Sequence, residues 1–303
     1  MQKHTVQISH GSLVATIDQI GARLASLSVH GQDFLEAFGG QYDAGDLLIP
    51  FPNRIAGGKY SFDHVAHQLP INEPARGNAI HGFTRVRAWS SVKHDPHLLT
   101  LAIQLDGSDQ GYPFELSTAV TYEVISGAAR DVLLVTTKTQ NVGKNRCPYG
   151  LGAHPYLRLP GEPIDECLLA IPATSYFMVD QEMIPIIPAV PVAGTLYDFR
   201  TGKVIQGISL DTCFTGLKAE GDGFIHVKLT PRTGSPTVTV FMDEKYPYLQ
   251  VFTADTLPPG NRRRALAVEP QSCAPNAFNN QEGLVILNPG ERHVCQWGIS
   301  ITR

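Results

Sequence analysis

The sequence predicts an all-β protein, and three observations carry that expectation. Short runs rich in Val, Ile, Leu and Thr recur from end to end, each bounded by Gly, Asn, Asp or Pro. Apolar residues nowhere hold a 3.6-residue period over about 11–18 residues, so no long amphipathic helix is expected. The 28 glycines and 22 prolines are spread through the chain and mark no linker. All-β units routinely reach about 200–250 residues, so length alone does not call for a second domain. With no break in composition, residues 1–303 read as one domain.

The elements follow in order. Thr5-Val6-Gln7-Ile8-Ser9 and Leu13-Val14-Ala15-Thr16-Ile17 read as strands around a His10-Gly11-Ser12 turn, and the run 24–29 closes on His30-Gly31-Gln32-Asp33. Residues 98–105, 117–125 and 131–140 form the next strands, followed by 167–172, 223–230, 237–242, 249–253, 284–288 and 294–301. Antiparallel sheets of this extent twist and must hide their edges. Two large sheets packed face to face solve both problems, and a concave sheet face then offers a cleft.

Composition narrows the function classes. A hydrophobic fraction of 43% with 17% charged residues supports a sizeable core. The formal charge of −4 and the lack of a long basic block argue against nucleic acid. The one basic run, Arg262-Arg263-Arg264, follows Pro258-Pro259-Gly260 and reads as a solvated turn. Five cysteines without a C-x-x-C pair fit reduced thiols in a cytoplasmic protein. Met1-Gln2-Lys3-His4-Thr5-Val6 has no apolar leader, and no segment approaches about 18 uninterrupted apolar residues, so no membrane partner is expected. A monomer and a homodimer both stay open.

Four stretches place polar residues in apolar company. In Leu266-Ala267-Val268-Glu269-Pro270, a carboxylate arrives at the end of a small apolar strand. Proline is expected to stop the ladder there because it has no N–H to donate. Burying such a carboxylate is costly, and both a structural and a functional reading of Glu269 stand on spacing alone. Arg54 lies in the stiff loop Pro50-Phe51-Pro52-Asn53-Arg54-Ile55-Ala56-Gly57-Gly58, and its planar fork suits hydroxyl or carboxylate partners. His81 sits in Gly77-Asn78-Ala79-Ile80-His81-Gly82-Phe83, and His154 in Gly152-Ala153-His154-Pro155-Tyr156. Either histidine alone reads as structural, whereas two beside a strand-end Glu shift the balance.

Metal and serine-triad chemistry find little support. The pairs His64/His67 and His94/His97 lie in polar turn sequence, and H-E-x-x-H is absent, as is G-x-S-x-G. Two histidines, Glu269, Asp211 beside Leu210, and Arg54 remain, a set suited to moving protons on a neutral polyhydroxylated substrate.

These blocks resemble the aldose 1-epimerase (galactose mutarotase) family over nearly the whole chain. The resemblance rests on Asn53-Arg54-Ile55-Ala56-Gly57-Gly58, Asn78-Ala79-Ile80-His81-Gly82, Gly152-Ala153-His154-Pro155-Tyr156, Leu210-Asp211-Thr212-Cys213-Phe214, Leu249-Gln250-Val251-Phe252-Thr253 and Val268-Glu269-Pro270. It implies a β-supersandwich of large twisted antiparallel sheets. It also implies Glu269 as general base, His154 as general acid, and Asn53, Arg54, His81, Asp211 and Gln250 as sugar-binding positions. The implied reaction interconverts α and β anomers of a free hexose such as galactose or glucose, with no cofactor. Glu269 is expected to be ionised and His154 protonated in the resting state, each charge supporting the other. Phe83, Tyr156 and Trp297 are candidates to stack on a sugar. Family members often carry a small hydroxyl residue after the histidine, whereas here Pro155-Tyr156-Leu157-Arg158 follows. Arg158 or the 262–264 run therefore leaves an anionic sugar, such as a hexose 6-phosphate, as an alternative. A non-catalytic carbohydrate-binding module is the third reading.

Overall fold

The computed structural model describes residues 4–302. Two large antiparallel sheets dominate, and the only α-helical turn among the described residues is Ala277–Asn280. One sheet has nine strands in the order Ser90–Asp95, Leu98–Asp106, Glu115–Ser126, Arg130–Asn141, Arg292–Thr302, Thr237–Met242, Ile225–Thr230, Leu168–Ala170 and Lys203–Val204. The chain's last strand sits at the centre of this sheet, between residues 130–141 and 237–242. The first four strands, Thr5–His10, Leu13–Asp18, Arg23–Val29 and Gln32–Asp33, form a separate meander. Its buried residues Ile8, Leu13, Ala15, Ile17 and Leu27 share a core with Leu101, Tyr122, Val124 and Val135 of the nine-stranded sheet.

The second sheet positions the site. Its order is Pro185–Pro191, Ser175–Val179, Asp211–Thr215, Tyr248–Phe252, Leu266–Gln271, Gly152–Ala153 and Leu47–Leu48, with Tyr156–Leu157 also pairing onto residues 266–271. Because side chains alternate across a strand, Leu249, Val251, Val268 and Phe214 enter the common hydrophobic core. Gln250 and Glu269, direct partners in register, turn to the opposite face.

One expectation about this sheet fails. Strand 266–271 does not end at Pro270; it runs on to Gln271, with Leu249 opposite Pro270 and Tyr248 opposite Gln271. The reason is parity. Val268 donates to Pro155 O at 3.1 Å and Ser272 to Leu151 O at 2.8 Å, so the N–H groups of even-numbered residues face segment 151–155. Pro270 lies between those two bonds, opposite the place where Ala153 and His154 leave the ladder to pair with Leu47 and Asp46. A missing N–H costs little there. Glu269 is therefore a mid-strand residue held on both sides. Of the pairs His64/His67 and His94/His97, His64 and His97 lie in the expected turns, whereas His67 and His94 lie in the strands Val65–Gln68 and Ser90–Asp95.

Candidate active site

Glu269 lies on the polar face of the eight-stranded sheet, 2% exposed. Beside it in register is Gln250, whose Nε2 donates to Asp211 Oδ1 at 2.6 Å. Asp211 opposes Phe252, two residues along from Gln250, which brings its side chain to the same face. Gln271, also two along from Glu269, donates to Glu269 Oε2 at 3.3 Å. Three adjacent strands thus carry a row of carboxyl and carboxamide groups, placed by register alone.

His154 approaches from the neighbouring segment. Gly45 N donates to its carbonyl at 2.8 Å and its own N–H donates to Asp46 O at 3.1 Å, so residues 45–46 grip its backbone on both sides. Asp46 is in turn bound to Arg23 at 2.7 Å. Gly152 allows the approach: a Cβ there would stand 2.7 Å from Pro52 Cβ. The imidazole stacks on Tyr156 at 4.9 Å and meets the His81 ring edge-to-face at 5.4 Å. Its Nε2 stands 3.3 Å from Glu269 Oε1. The imidazole and the carboxyl are therefore in direct contact.

The other wall is made of loop segments joined by a two-residue ladder, Arg54–Ile55 against Ala79–Ile80. Asn53 and His81 both take positive φ, +54° and +62°. Asn53 N donates to His81 Nδ1 at 3.1 Å, and His81 N donates to Asn53 O at 3.0 Å. Since Nδ1 accepts, a neutral His81 carries its proton on Nε2, and burial holds its pKa well below the ordinary histidine value. Arg54 binds Glu73 through Nε and Nη2, both at 2.9 Å. Asn276 supports the loop from behind, donating its backbone N–H to Arg54 O at 2.7 Å and accepting from Ala56 N at 3.0 Å.

All the site residues expected from sequence, Asn53, Arg54, His81, His154, Asp211, Gln250 and Glu269, line one cavity of about 210 Å³. Tyr42, Asp43, Arg76, Tyr156, Phe252 and Leu257 complete much of its wall. Of the three aromatics considered for stacking, Tyr156 lines the cavity and Phe83 does not. Trp297 is buried in the nine-stranded sheet. Arg158 and the 262–264 run do not line it either. Arg263 is bound to Asp165 and Asp255, and Arg264 to Glu36. The cation that joins Arg54 at the cavity is Arg76, whose sequence setting, Pro74-Ala75-Arg76-Gly77, looks like an ordinary exposed turn.

The charge state differs from the expected one. Burial pushes the Glu269 carboxyl well above the usual range, and the nearby Asp211 adds to the shift. Burial also lowers His154 to about 4, against the pull of Asp43. His154 Nδ1 has no hydrogen-bond partner among the described residues, so nothing there favours a second proton on the ring. Both shifts act against an ion pair and favour the neutral form of each group. No group of three or more His, Cys, Asp or Glu side chains that could hold a metal ion occurs among the described residues.

A family model described as aldose 1-epimerase matches residues 4–299. This chain belongs to the aldose 1-epimerase family. Among relatives, the Escherichia coli protein YihR, itself described as uncharacterized, is 34% identical over 293 residues, covering 95% of this chain and 90% of that protein. The Escherichia coli aldose 1-epimerase is 33% identical over 191 residues, 57% of this chain and 52% of that enzyme. An aldose epimerase homologue of known structure from C. elegans superposes with a TM-score of 0.84 over 98% of both chains at 22% identity, which shows the shared fold. The family's expected large-sheet architecture is the one observed. No helix among the described residues is long and apolar enough to cross a membrane.

Proposed function

We propose that this family member catalyses the interconversion of α and β anomers of a free hexose such as galactose or glucose. The observation that carries the reading is the 3.3 Å contact between His154 Nε2 and Glu269 Oε1 inside a small polar cavity. A hemiacetal carbon bears two oxygens, the C1 hydroxyl and the ring oxygen. Opening the ring removes a proton from the first and delivers one to the second. Two adjacent groups that share one proton are matched to that exchange.

The steps start from the neutral pair that burial favours. On sugar binding, the proton on Glu269 passes to His154 across their contact. Glu269 then accepts the C1 hydroxyl proton while His154 protonates the ring oxygen, the C1–O5 bond breaks, and the aldehyde forms. Rotation about C1–C2 presents the other face. Reclosure takes the proton from the C5 hydroxyl to His154 and returns the Glu269 proton to the new C1 oxygen. Atoms balance without a redox step or a group transfer, so the chemistry requires no cofactor. Asp211, Gln250, Arg54 and Asn53 offer acceptors and donors to the remaining hydroxyls, and neutral His81 offers its Nε2–H.

An anionic sugar is the second reading. It now rests on Arg76 at the cavity wall rather than on Arg158. Polarimetry on freshly dissolved α-anomers, across neutral and phosphorylated aldoses, separates the possibilities. Acceleration with galactose or glucose supports the first reading, and acceleration confined to phosphorylated sugars supports the second. No acceleration above the spontaneous rate with any sugar would leave only a binding module.

A further inference from the structure

Two arginines line the cavity, and one carboxylate outside it holds both. Glu73 accepts from Arg54 Nε and Nη2 at 2.9 Å each and from Arg76 Nη1 at 2.8 Å, yet it is not part of the cavity wall. We propose that Glu73 is a positioning residue for sugar binding, fixing the plane of the Arg54 guanidinium and tethering Arg76 beside it so that both meet the substrate pre-arranged. The proposal rests on the sugar-binding reading of this cavity.

The geometry argues for alignment rather than simple charge balance. A guanidinium has five N–H donors in a rigid fork. A bidentate carboxylate takes up one edge, defines the plane, and leaves the other donors unused. The Arg54 and Glu73 side chains are only 9% and 14% exposed, so water competes weakly for the bond. Burial works against the ionised form of Glu73, but the bonds to Arg54 and Arg76 overcome it and hold the carboxyl below its ordinary value. The clamp is itself braced. Asn78 Nδ2 reaches Glu73 Oε2 at 3.4 Å and donates to Glu182 O at 2.8 Å, while Asn78 Oδ1 accepts from Gly57 N at 3.3 Å. Segments 53–58, 73–81 and the hairpin tip at 180–184 are thereby joined around one carboxylate. A Glu needed only to close its own turn already has the backbone bonds between Glu73 and Asn78 for that purpose. Its side-chain oxygens are spent on the two cavity arginines.

The test is the Glu73→Gln variant assayed with galactose by polarimetry. The expected result is a KM raised about tenfold with kcat changed by less than about threefold, the signature of lost substrate binding without lost chemistry. Glu73→Asp should recover part of the KM. An unchanged KM, or a lowered kcat at wild-type KM, would overturn the proposal. A second measurement needs no folded Glu73 variant. In the wild-type protein the Arg54 Nε–H NMR signal, assigned through its loss in Arg54→Lys, should be resolved, slow to exchange with water, and shifted by added galactose. A signal that exchanges as fast as that of free arginine would overturn the clamp. Should the wild-type protein fail to accelerate mutarotation of any sugar, the catalytic reading fails, and the Nε–H signal still decides the role of Glu73.

Discussion

The two walls of the cavity are built in different ways. Glu269, Gln250 and Asp211 stand on three hydrogen-bonded strands, so sheet register sets their spacing, and moving one means slipping a ladder. Asn53, Arg54 and His81 stand on loop segments joined by the two-residue ladder of Arg54–Ile55 with Ala79–Ile80, where positive φ values, backbone bonds between Asn53 and His81, and side-chain ties from Glu73 and Asn276 do the same work. In the proposed reaction, proton transfer, which tolerates little misplacement, belongs to Glu269 of the strand wall with His154. In the same reading the loop wall, together with Asp211 and Gln250, meets the sugar hydroxyls. The same division recurs wherever a rigid scaffold presents variable loops.

Mutations on the two walls should separate the two functions. The largest effect is expected from Glu269→Gln, which keeps shape but removes the exchangeable carboxyl proton. The rate should fall by about 10²–10⁴, measured by polarimetry, with galactose binding retained in saturation-transfer NMR. Wild-type rates would remove Glu269 from the chemistry and leave the walls undistinguished. A smaller effect, on stability and KM, is expected from Gly82→Ala on the loop wall. Gly82 has φ +61°, and a Cβ there would stand 2.1 Å from Ile49 O. The backbone beside His81 has to shift, at a cost of about 2–3 kcal/mol. Thermal unfolding should show the loss, and the surviving folded enzyme should show a raised KM at near-normal kcat. Unchanged stability and KM together would show that the loop wall is not held as rigidly as its contacts imply.

The contrast also explains what was legible in the sequence. Strand periodicity and breakers exposed most of the ladders, because alternation is a local property of the chain. Glu269 stands out as a carboxylate among Ala, Val and Pro, but its mid-strand place does not, because Pro270 continues the strand through a parity that depends on a distant neighbour. Glu73 gave no signal. Its setting, Ile71-Asn72-Glu73-Pro74, reads as an ordinary turn, and its partner Arg54 lies 19 residues away in another loop. Asp43 was hidden in the same way, in Tyr42-Asp43-Ala44-Gly45, where only the φ of +55° and the bond to Arg85 reveal a placed residue. The expectation of an ionised Glu269 beside a protonated His154 weighs opposite charges alone, whereas burial shifts both groups toward their neutral forms. Desolvation is set by everything packed around the site, which no local motif encodes.

The central claim, that His154 and Glu269 share a single proton in a site that disfavours charge, is tested most directly by the pH dependence of wild-type kcat/KM. The active form carries one proton on the pair. Activity is lost toward acid when His154 takes a second proton, near pH 4 given its lowered value, and toward alkali only when the raised Glu269 gives up the last one. The account predicts a rate that is flat through neutrality and falls on the acid side near pH 4. A narrow bell lying between the ordinary carboxyl and histidine values, with activity already declining as pH rises through about 6.5, would contradict it.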